Sequence, residues 1–572
     1  MDQVDNQVEN RPPGGETNYG SGTFVDNMQI DTDADWLKYA SDAYEASSSF
    51  LDVSLIKRWE RNMDLFRSKH PKGSKYHTEQ YRKRSKIFRP KTRSTIRRHE
   101  AAAAVAYFAT SDAVNITPEN EYDPRQVVTA NIHDGLLNYR LENDIPWFKI
   151  LIGAYQESMN IGTVVSCQEW EFKTRTVKRR VQVVDEWGRP RLNEDGTPDT
   201  MDYDKKEIVK DHPRVRLVPL ENFRIDPSAS WDDPIESSPY LIEMIPMYVM
   251  DVKLRMEEGL NDEEPWRHYD DNAIVSAIKN DYDSLRRARE GRERTDSKDR
   301  PNYLREYDLV WVHRNIIRHK GEDYVYYTLG TQHLLSDPKP LPQHFHHGIR
   351  PYAYGNSMIE AHRIFPSGLP EVGEGLQVEA NDTANQRLDN VKLVLNRRYI
   401  AKRGARVDFR SLMRNVPGSV TLVDDINADL KSEQMQDVTR SSYEEQDRIS
   451  LDYDEITGGF SSSSVQSNRK LNETVGGMEL MKGDSNVVGE YQLRTFNESW
   501  VETVLRQVVL LEQAYETDEN LLTIVANKKR LSQKHGINKI TDTMLQGRMN
   551  VRVNVGFGAT QPEKRIQKLA LG

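Results

Sequence analysis

Apolar residues recur at three- and four-residue steps through Trp36, Ala40, Tyr44, Leu51, Leu55, Trp59, Met63 and Phe66, a period that predicts helix from Asp35 to Phe66. Ser94–Ala109, with its alanine run Ala101–Ala104, also reads as helix, and two amphipathic helices follow at Asp123–Leu141 and Pro146–Asn160. The period then changes to two. Thr174–Trp187 and Glu207–Leu220, separated by the turn-rich Gly188–Thr200, predict a long hairpin. Leu304–Ile316 and Asp323–Leu329, joined across His319–Glu322, predict a second. Between the hairpins Tyr248–Gly259 reads as helix. The almost wholly charged Asp281–Arg300 reads as an exposed helix or disordered loop.

Tyr354–Gly477 is organised differently. A Gly355-Asn356-Ser357 turn leads to a helix whose apolar residues, Leu376, Ala380, Ala384, Leu388, Val391 and Leu395, form one narrow stripe. The rest of that helix is Asn, Asp, Gln and Glu, which predicts packing among like neighbours. Tyr399–Val407 and Ser419–Leu422 read as short strands of a small insert, and Ser442–Ile456 as an acid-rich helix. Gly458-Gly459-Phe460 and four serines then form a flexible polar loop. Asn472-Glu473-Thr474 opens a long helix with core positions Val487, Tyr491, Phe496, Trp500, Val504, Val508 and Leu511. Asn550–Val555 alternates as a strand, and the Gly/Asn/Asp/Pro-rich residues 1–30 read as a mobile arm.

Composition narrows the class. The chain has 572 residues, 29% of them charged, and a net charge of −10. That predicts a polar, soluble protein of several packed units. No apolar run is long enough for a membrane span, and the N-terminus lacks a secretory pattern. The single cysteine, Cys167, excludes an intrachain disulfide framework and reads as a small buried hydrophobe in the strand-like run Gly162–Trp170. Charge is uneven: Arg67–Arg98 holds thirteen Lys/Arg and one acid, Glu79. Such a block suits nucleic acid, acidic neighbours in an oligomer, or a solvated face.

Familiar catalytic patterns are missing. There is no Walker-type phosphate loop and no Gly-x-Ser-x-Gly turn. Asp31-x-Asp33-x-Asp35 resembles the start of a calcium loop, but Trp36 stands where glycine is needed and Asp42 where a bidentate Glu belongs. His344-Phe345-His346-His347 lacks further ligands at metal spacing and reads as a loop.

Several runs together resemble portal proteins of tailed bacteriophages, the head-to-tail connectors of podovirus type. They are Val218-Pro219-x-x-Asn222-Phe223-x-x-Asp226-Pro227-Ser228-Ala229, His347-Gly348-x-Arg350-Pro351-Tyr352 with Gly355-x-Ser357, the Asn/Gln-rich Asn381–Asn390, Asn472-Glu473-Thr474-x-Gly476-Gly477, and Asn554-Val555-Gly556-x-Gly558. The resemblance implies an α+β portal fold of wing, stem, clip and crown, mostly helical, with β-hairpins in the wing and a small α/β clip. It divides the chain into a mobile arm (1–35), wing (36–370), first stem helix (371–396), clip (397–439), second stem helix (440–457), tunnel loop (458–473), long wing helix (474–515) and the start of a crown (516–572).

The same resemblance implies no enzyme and no cofactor, but a homo-oligomeric ring, typically of twelve copies, at the portal vertex of the virion, assembled in the host cytoplasm. Double-stranded DNA would pass through it without sequence preference during packaging and ejection. Other implied partners are the terminase large subunit, a tail adaptor or head-completion protein, and the major capsid and scaffolding proteins, with no membrane. Channel-lining acids would be Glu379, Asp382, Asp389, Glu444, Asp447 and Asp454. The tunnel loop would present Phe460, Ser461, Ser462, Ser463, Ser464, Gln466, Asn468, Arg469 and Lys470 to DNA. Clip residues Arg397, Arg398, Lys402, Arg403, Arg406 and Arg410 would meet partner proteins. Two other readings stay open at this point: a scaffold or tail protein without a DNA channel, and a metal-dependent hydrolase using the histidine loop.

Overall fold

The computed structural model describes residues 32–108, 114–120, 122–182, 200–259, 264–277, 285–286, 289, 306–395, 398–404, 406–414, 420–423, 425, 429–433, 440–458, 487–518, 521–523, 542–545 and 549–553. Helices and antiparallel sheets are mixed in an α+β arrangement. Helices α1 (Asp33–Phe50) and α2 (Ile56–Phe66) are joined by a single π turn, so the predicted helix over Asp35–Phe66 is continuous. Helices α3 (Lys91–Tyr107), α4 (Pro124–Asn143) and α5 (Trp147–Ile161) follow where the period placed them. Of the calcium-like aspartates, Asp33 pairs with Arg267 and Asp35 accepts from Thr32 at 2.6 Å. Both serve the start of α1.

Strand β1 (Val114–Pro118) lies between α3 and α4. The long hairpin is β2 (Thr163–Gln182) and β3 (Thr200–Val218), with a register shift at Lys173/Thr174. The two separate β runs expected around Cys167 and Thr174 are therefore a single strand. Beyond the hairpin come β4 (Phe223–Ile225), β5 (Tyr240–Tyr248), helix α6 (Val249–Glu257), β6 (Leu309–His319), β7 (Glu322–Leu329), β8 (His333–Leu334), β9 (Lys339–Pro340) and β10 (Tyr352–Asn356). Strands β4-β5-β6-β7-β8 form one sheet in that order, with β9 on β7, and β10-β2-β3 form another. Among the described residues, no helix is long and apolar enough to cross a membrane.

Helices α7 (Glu374–Leu395), α8 (Arg440–Thr457) and α9 (Glu502–Tyr515) come later in the chain; α9 continues residues 487–496 through a π turn at Asn497–Val501. In the insert between α7 and α8, β11 (Arg398–Ala401) pairs with β12 (Leu430–Glu433). The strand expected at Ser419–Leu422 is replaced by one bridge, Val407↔Val423. The run Leu-Lys-Ser-Glu has no apolar alternation to announce it, because backbone bonds alone make its ladder. Strand β13 (Met549–Val553) pairs with β1, returning the chain to α4.

The main core gathers α3, α4, α5 and α9. Trp147 stacks on Trp500 at 5.9 Å, and Trp500 donates to Ser166 at 2.9 Å. Gly355 sits where β10 crosses this helix: a Cβ there would stand 2.3 Å from that of Trp500, so the expected Gly-Asn-Ser turn is a close packing point. Cys167 is fully buried, and burial pushes its thiol up to about 12. Its surroundings are more polar than a hydrophobe's. Arg314 donates to its sulfur at 3.3 Å and to Glu169 at 3.0 Å, and Arg216 pairs with Glu243, which also accepts from Tyr352 at 2.9 Å. Burial alone would raise Glu169; Arg314 and Arg216 hold it down to about 2. Arg350, from the His-Gly-x-Arg-Pro-Tyr run, is also internal: its guanidinium takes Asp323 at 2.7 and 2.9 Å and donates to Ser238 O at 2.8 Å.

Candidate functional site

Helix α7 is covered on two sides: by helix α8, a like neighbour such as its apolar stripe predicts, and by a segment that the stripe does not predict. Gln377, Asn381, Asn385 and Asp389 stand at four-residue steps on one side. Their side-chain oxygens accept from the backbone N–H of Thr92 (3.1 Å), Arg89 (2.7 Å), Ile87 (2.7 Å) and Ser85 (2.8 Å). From Ser85 to Arg89 the strap advances two residues of extended chain, about 6.6 Å, for every four residues of helix, about 6 Å, so strap and helix stay in register there. Carbonyls are met as well: Gln377 donates to Arg89 O at 2.6 Å and Asn385 to Ile87 O at 2.8 Å. Gln377, Asn381 and Asn385 are accordingly buried, alongside Ala380 and Ala384. The polar stripe is as much an interior face as the apolar one.

The strap is the basic block. Lys75 donates to Asp382 at 2.6 Å, Tyr76 gives the same carboxylate its phenol proton, and Lys392 reaches Ser85 at 2.7 Å. The bond to Asp382 raises Lys75; burial, then Asp382, raises the Tyr76 phenol. Helix α2 adds two pairs at the start of α7: Arg58 with Glu371 at 3.3 Å and Arg61 with Glu374 at 3.5 Å.

The adjoining side of α7 packs against α8. Gly373, just before α7, permits the approach, since a Cβ there would lie 2.6 Å from the Tyr453 ring. Arg387 lies over Tyr443 at 4.1 Å from the ring centroid. Helix α3 closes the far end: Tyr453 donates to Thr92 Oγ1 at 2.9 Å, and His99 Nε2 lies 3.0 Å from Thr457 O. Asp454 is fully buried there, 3.7 Å from Lys91 and 3.9 Å from Arg98.

The six expected channel acids therefore separate. Glu379, Glu444 and Asp447 are exposed, as are Glu445, Asp452 and Glu455 on α8. Asp382 and Asp389 are half-buried against the strap, and Asp454 has no surface to offer a passing duplex. These three stand in polar helices, which made them look solvent-facing, but each has partners from residues 75–98. Lys402, Arg403, Arg406 and Arg410 are exposed around β11 and the short helix Phe409–Arg414. Arg398 begins β11. Arg397 and the loop residues Phe460, Ser461, Ser462, Ser463, Ser464, Gln466, Asn468, Arg469 and Lys470 lie outside the described residues.

Sequence reading missed the strap, although two signals existed: amides and an acid at steps of four, and a cation-rich block. Two histidines of the run, His344 and His347, are packing material, while His346 is exposed. His344 Nε2 lies 3.3 Å from the Tyr327 hydroxyl, His347 Nδ1 accepts from Ile349 N at 3.2 Å, and burial pulls both rings down to about 4. Among the described residues, no three His, Cys, Asp or Glu groups converge as a metal site. In comparison with known proteins, the family model described as the phage SU10 portal protein matches residues 36–571, and no curated protein matches the chain.

Proposed function

The chain belongs to the phage SU10 portal protein family, a family of structural proteins, and on that premise we propose how its parts serve a portal ring. Copies stand around a central channel at one capsid vertex, with α7 and α8 as the paired rods of the stem. Double-stranded DNA passes inward during packaging and outward at ejection. The observation that carries this reading is the division of charge between the rods. The acids of α7 are largely consumed by the strap and α2, whereas α8 keeps Glu444, Glu445, Asp447, Asp452 and Glu455 on its exposed face.

An acidic wall suits passage. Each phosphate neutralised by a cation releases counterions and becomes a salt-sensitive anchor, so a basic bore would brake the duplex. Glu379, Glu444 and Asp447 repel it instead and keep it centred. Within the loop 458–473, Arg469 and Lys470 supply weak contact with DNA, without sequence preference. The insert 397–439, through Lys402, Arg403, Arg406 and Arg410, meets acidic surfaces of the packaging terminase and later of a tail adaptor, while the body contacts capsid and scaffolding proteins.

Electron microscopy of the purified protein tests the reading. Closed rings with a central hole, twelve-fold in projection averages, are expected. A protein that stays monomeric or builds open filaments at assembly concentrations sinks it.

A further inference from the structure

Where α9 ends, one guanidinium serves three carboxylates. Arg140 of α4 donates from Nε to Glu512 at 2.9 Å, from Nη1 to Asp144 at 2.7 Å, and from Nη2 to Glu516. Arg140, Glu512 and Glu516 are all buried, and the Trp170 ring of β2 covers the guanidinium at 5.8 Å. Glu512 and Glu516 stand one helical turn apart, a spacing at which like charges repel. With every group ionised, a single cation would face three anions in a dry site.

One atom shows where the imbalance falls. Glu512 is 1% exposed, and among the described residues no donor reaches its Oε2, although Oε1 accepts from Arg140. An anion left dry and half-bonded is disfavoured there against a neutral acid. Charges on the surrounding elements do not correct this. On β2 and β3, Glu171 pairs with Lys210 at 3.0 Å, and Asp211 accepts from Trp170 at 2.7 Å. Strand β10 carries no charged residue, and Arg552 of β13 stands in register with the exposed Asn115; the turn 542–545 begins with Asp542. The charges acting chiefly on Glu512 are Arg140, Glu516 and Asp144.

We propose that the Glu512–Glu516 pair holds one proton at neutral pH, and that this proton latches the chain leaving α9 onto α4. Glu516 is the link. Its other oxygen, Oε1, accepts from Asp518 N at 2.7 Å, and Asp518 O accepts from Leu522 N at 3.1 Å. Leu522 in turn packs with Val128, Ile132 and Leu136 of α4. When the proton leaves to solvent, two anions one turn apart share Arg140. The last turn of α9 then withdraws Glu516, and Leu522 loses its hold on α4. Burial raises Glu512 from 4.5 to about 8, which sets the window. The latch is complete below 4.5 and is lost as pH rises toward 8. It does not depend on the portal reading.

Amide exchange at Leu522, corrected for its intrinsic dependence on pH, tests the latch in the full chain. In wild type the opened population should grow about tenfold per pH unit from 6 to 8, since the opened site releases a proton that the closed one keeps. Glu512→Gln, neutral and of similar size, should show no such growth. Glu516→Gln ends the repulsion within the pair and should at least halve the slope; it serves should Glu512→Gln fail to fold. Infrared spectra at pH 7 should contain a protonated carboxyl stretch that Glu512→Gln removes. An opening of Leu522 that ignores pH in wild type, an equal slope in the variants, or a carboxyl stretch unchanged by Glu512→Gln overturns the inference.

Discussion

The carboxamide of Asn385 meets both backbone groups of Ile87: the Ile87 N–H donates to Oδ1 at 2.7 Å, and Nδ2 donates to the Ile87 carbonyl at 2.8 Å. A helix side chain thus does for an extended segment what a neighbouring strand would do. Gln377 acts similarly across two residues, accepting from Thr92 N–H and donating to the Arg89 carbonyl, so the amides clamp the strap to α7 while Lys75 pairs with Asp382 of the same helix.

Asn385→Ala leaves that N–H and carbonyl short of partners at a partly buried site, at a cost of about 1–3 kcal/mol for each group. Amide exchange at Ile87 is expected to quicken by one to two orders of magnitude, since about 1.4 kcal/mol is tenfold. Asn385→Asp keeps the acceptor, loses the donor, and should fall between. Exchange that does not change in Asn385→Ala would show that the clamp holds nothing.

Gly373→Ala pushes a methyl into the Tyr453 ring, where a Cβ would stand 2.6 Å from the nearest ring carbon. The two helices must part or the ring must turn, at a cost of about 1–3 kcal/mol. A lower thermal midpoint is expected, with most of the loss recovered in a Gly373→Ala, Tyr453→Leu double variant.

Acid should loosen the fold through buried histidines. Burial lowers His133 to about 4 and His313 to about 3, from an ordinary value of 6.5. Between those values and 6.5 the unfolded chain binds protons that the folded chain does not, so stability falls as pH drops through that window. The slope is about 1.4 kcal/mol per pH unit for each ring. Glu512 acts oppositely: burial raises it to about 8 despite Arg140, favouring the folded state as pH falls from 8 toward 4.5. His313→Phe keeps an aromatic ring against Tyr44, now 5.1 Å away, and should flatten the decline in midpoint between pH 6.5 and 4.

Exposed and buried acids should behave differently. Glu444→Lys with Asp447→Lys should leave the thermal midpoint within a degree or two but slow DNA exit, more at 50 mM than at 200 mM salt. Asp454→Ala should instead cost about 1–3 kcal/mol, less than a fully buried pair because Lys91 and Arg98 keep some water. A double reversal with salt-independent, wild-type exit rates would remove Glu444 and Asp447 from the channel wall.

Arg469→Glu with Lys470→Glu is expected to reduce the DNA retained in filled heads without altering ring assembly. Packaged length and leakage over hours are the readouts, and unchanged retention counts against loop contact.

Periodicity along the chain determined the helices from Asp33 to Ile161, the long hairpin and the burial of Cys167, because each depends on which residues avoid water over a few turns or a few pairs. The same signal misled at α7. There the apolar stripe drew attention from Gln377, Asn381 and Asn385, whose burial depends on partners roughly three hundred positions away. Those partners are peptide N–H and C=O groups, which every residue but proline carries alike, so no side-chain pattern marks Ile87 or Arg89 as the one addressed. Hydrophobicity is written residue by residue, whereas pairing between a side chain and a distant backbone exists only once the chain has folded. The tertiary structure alone therefore decided that the basic block binds its own helix, that Asp454 is interior, and that the acids left to face outward belong chiefly to α8.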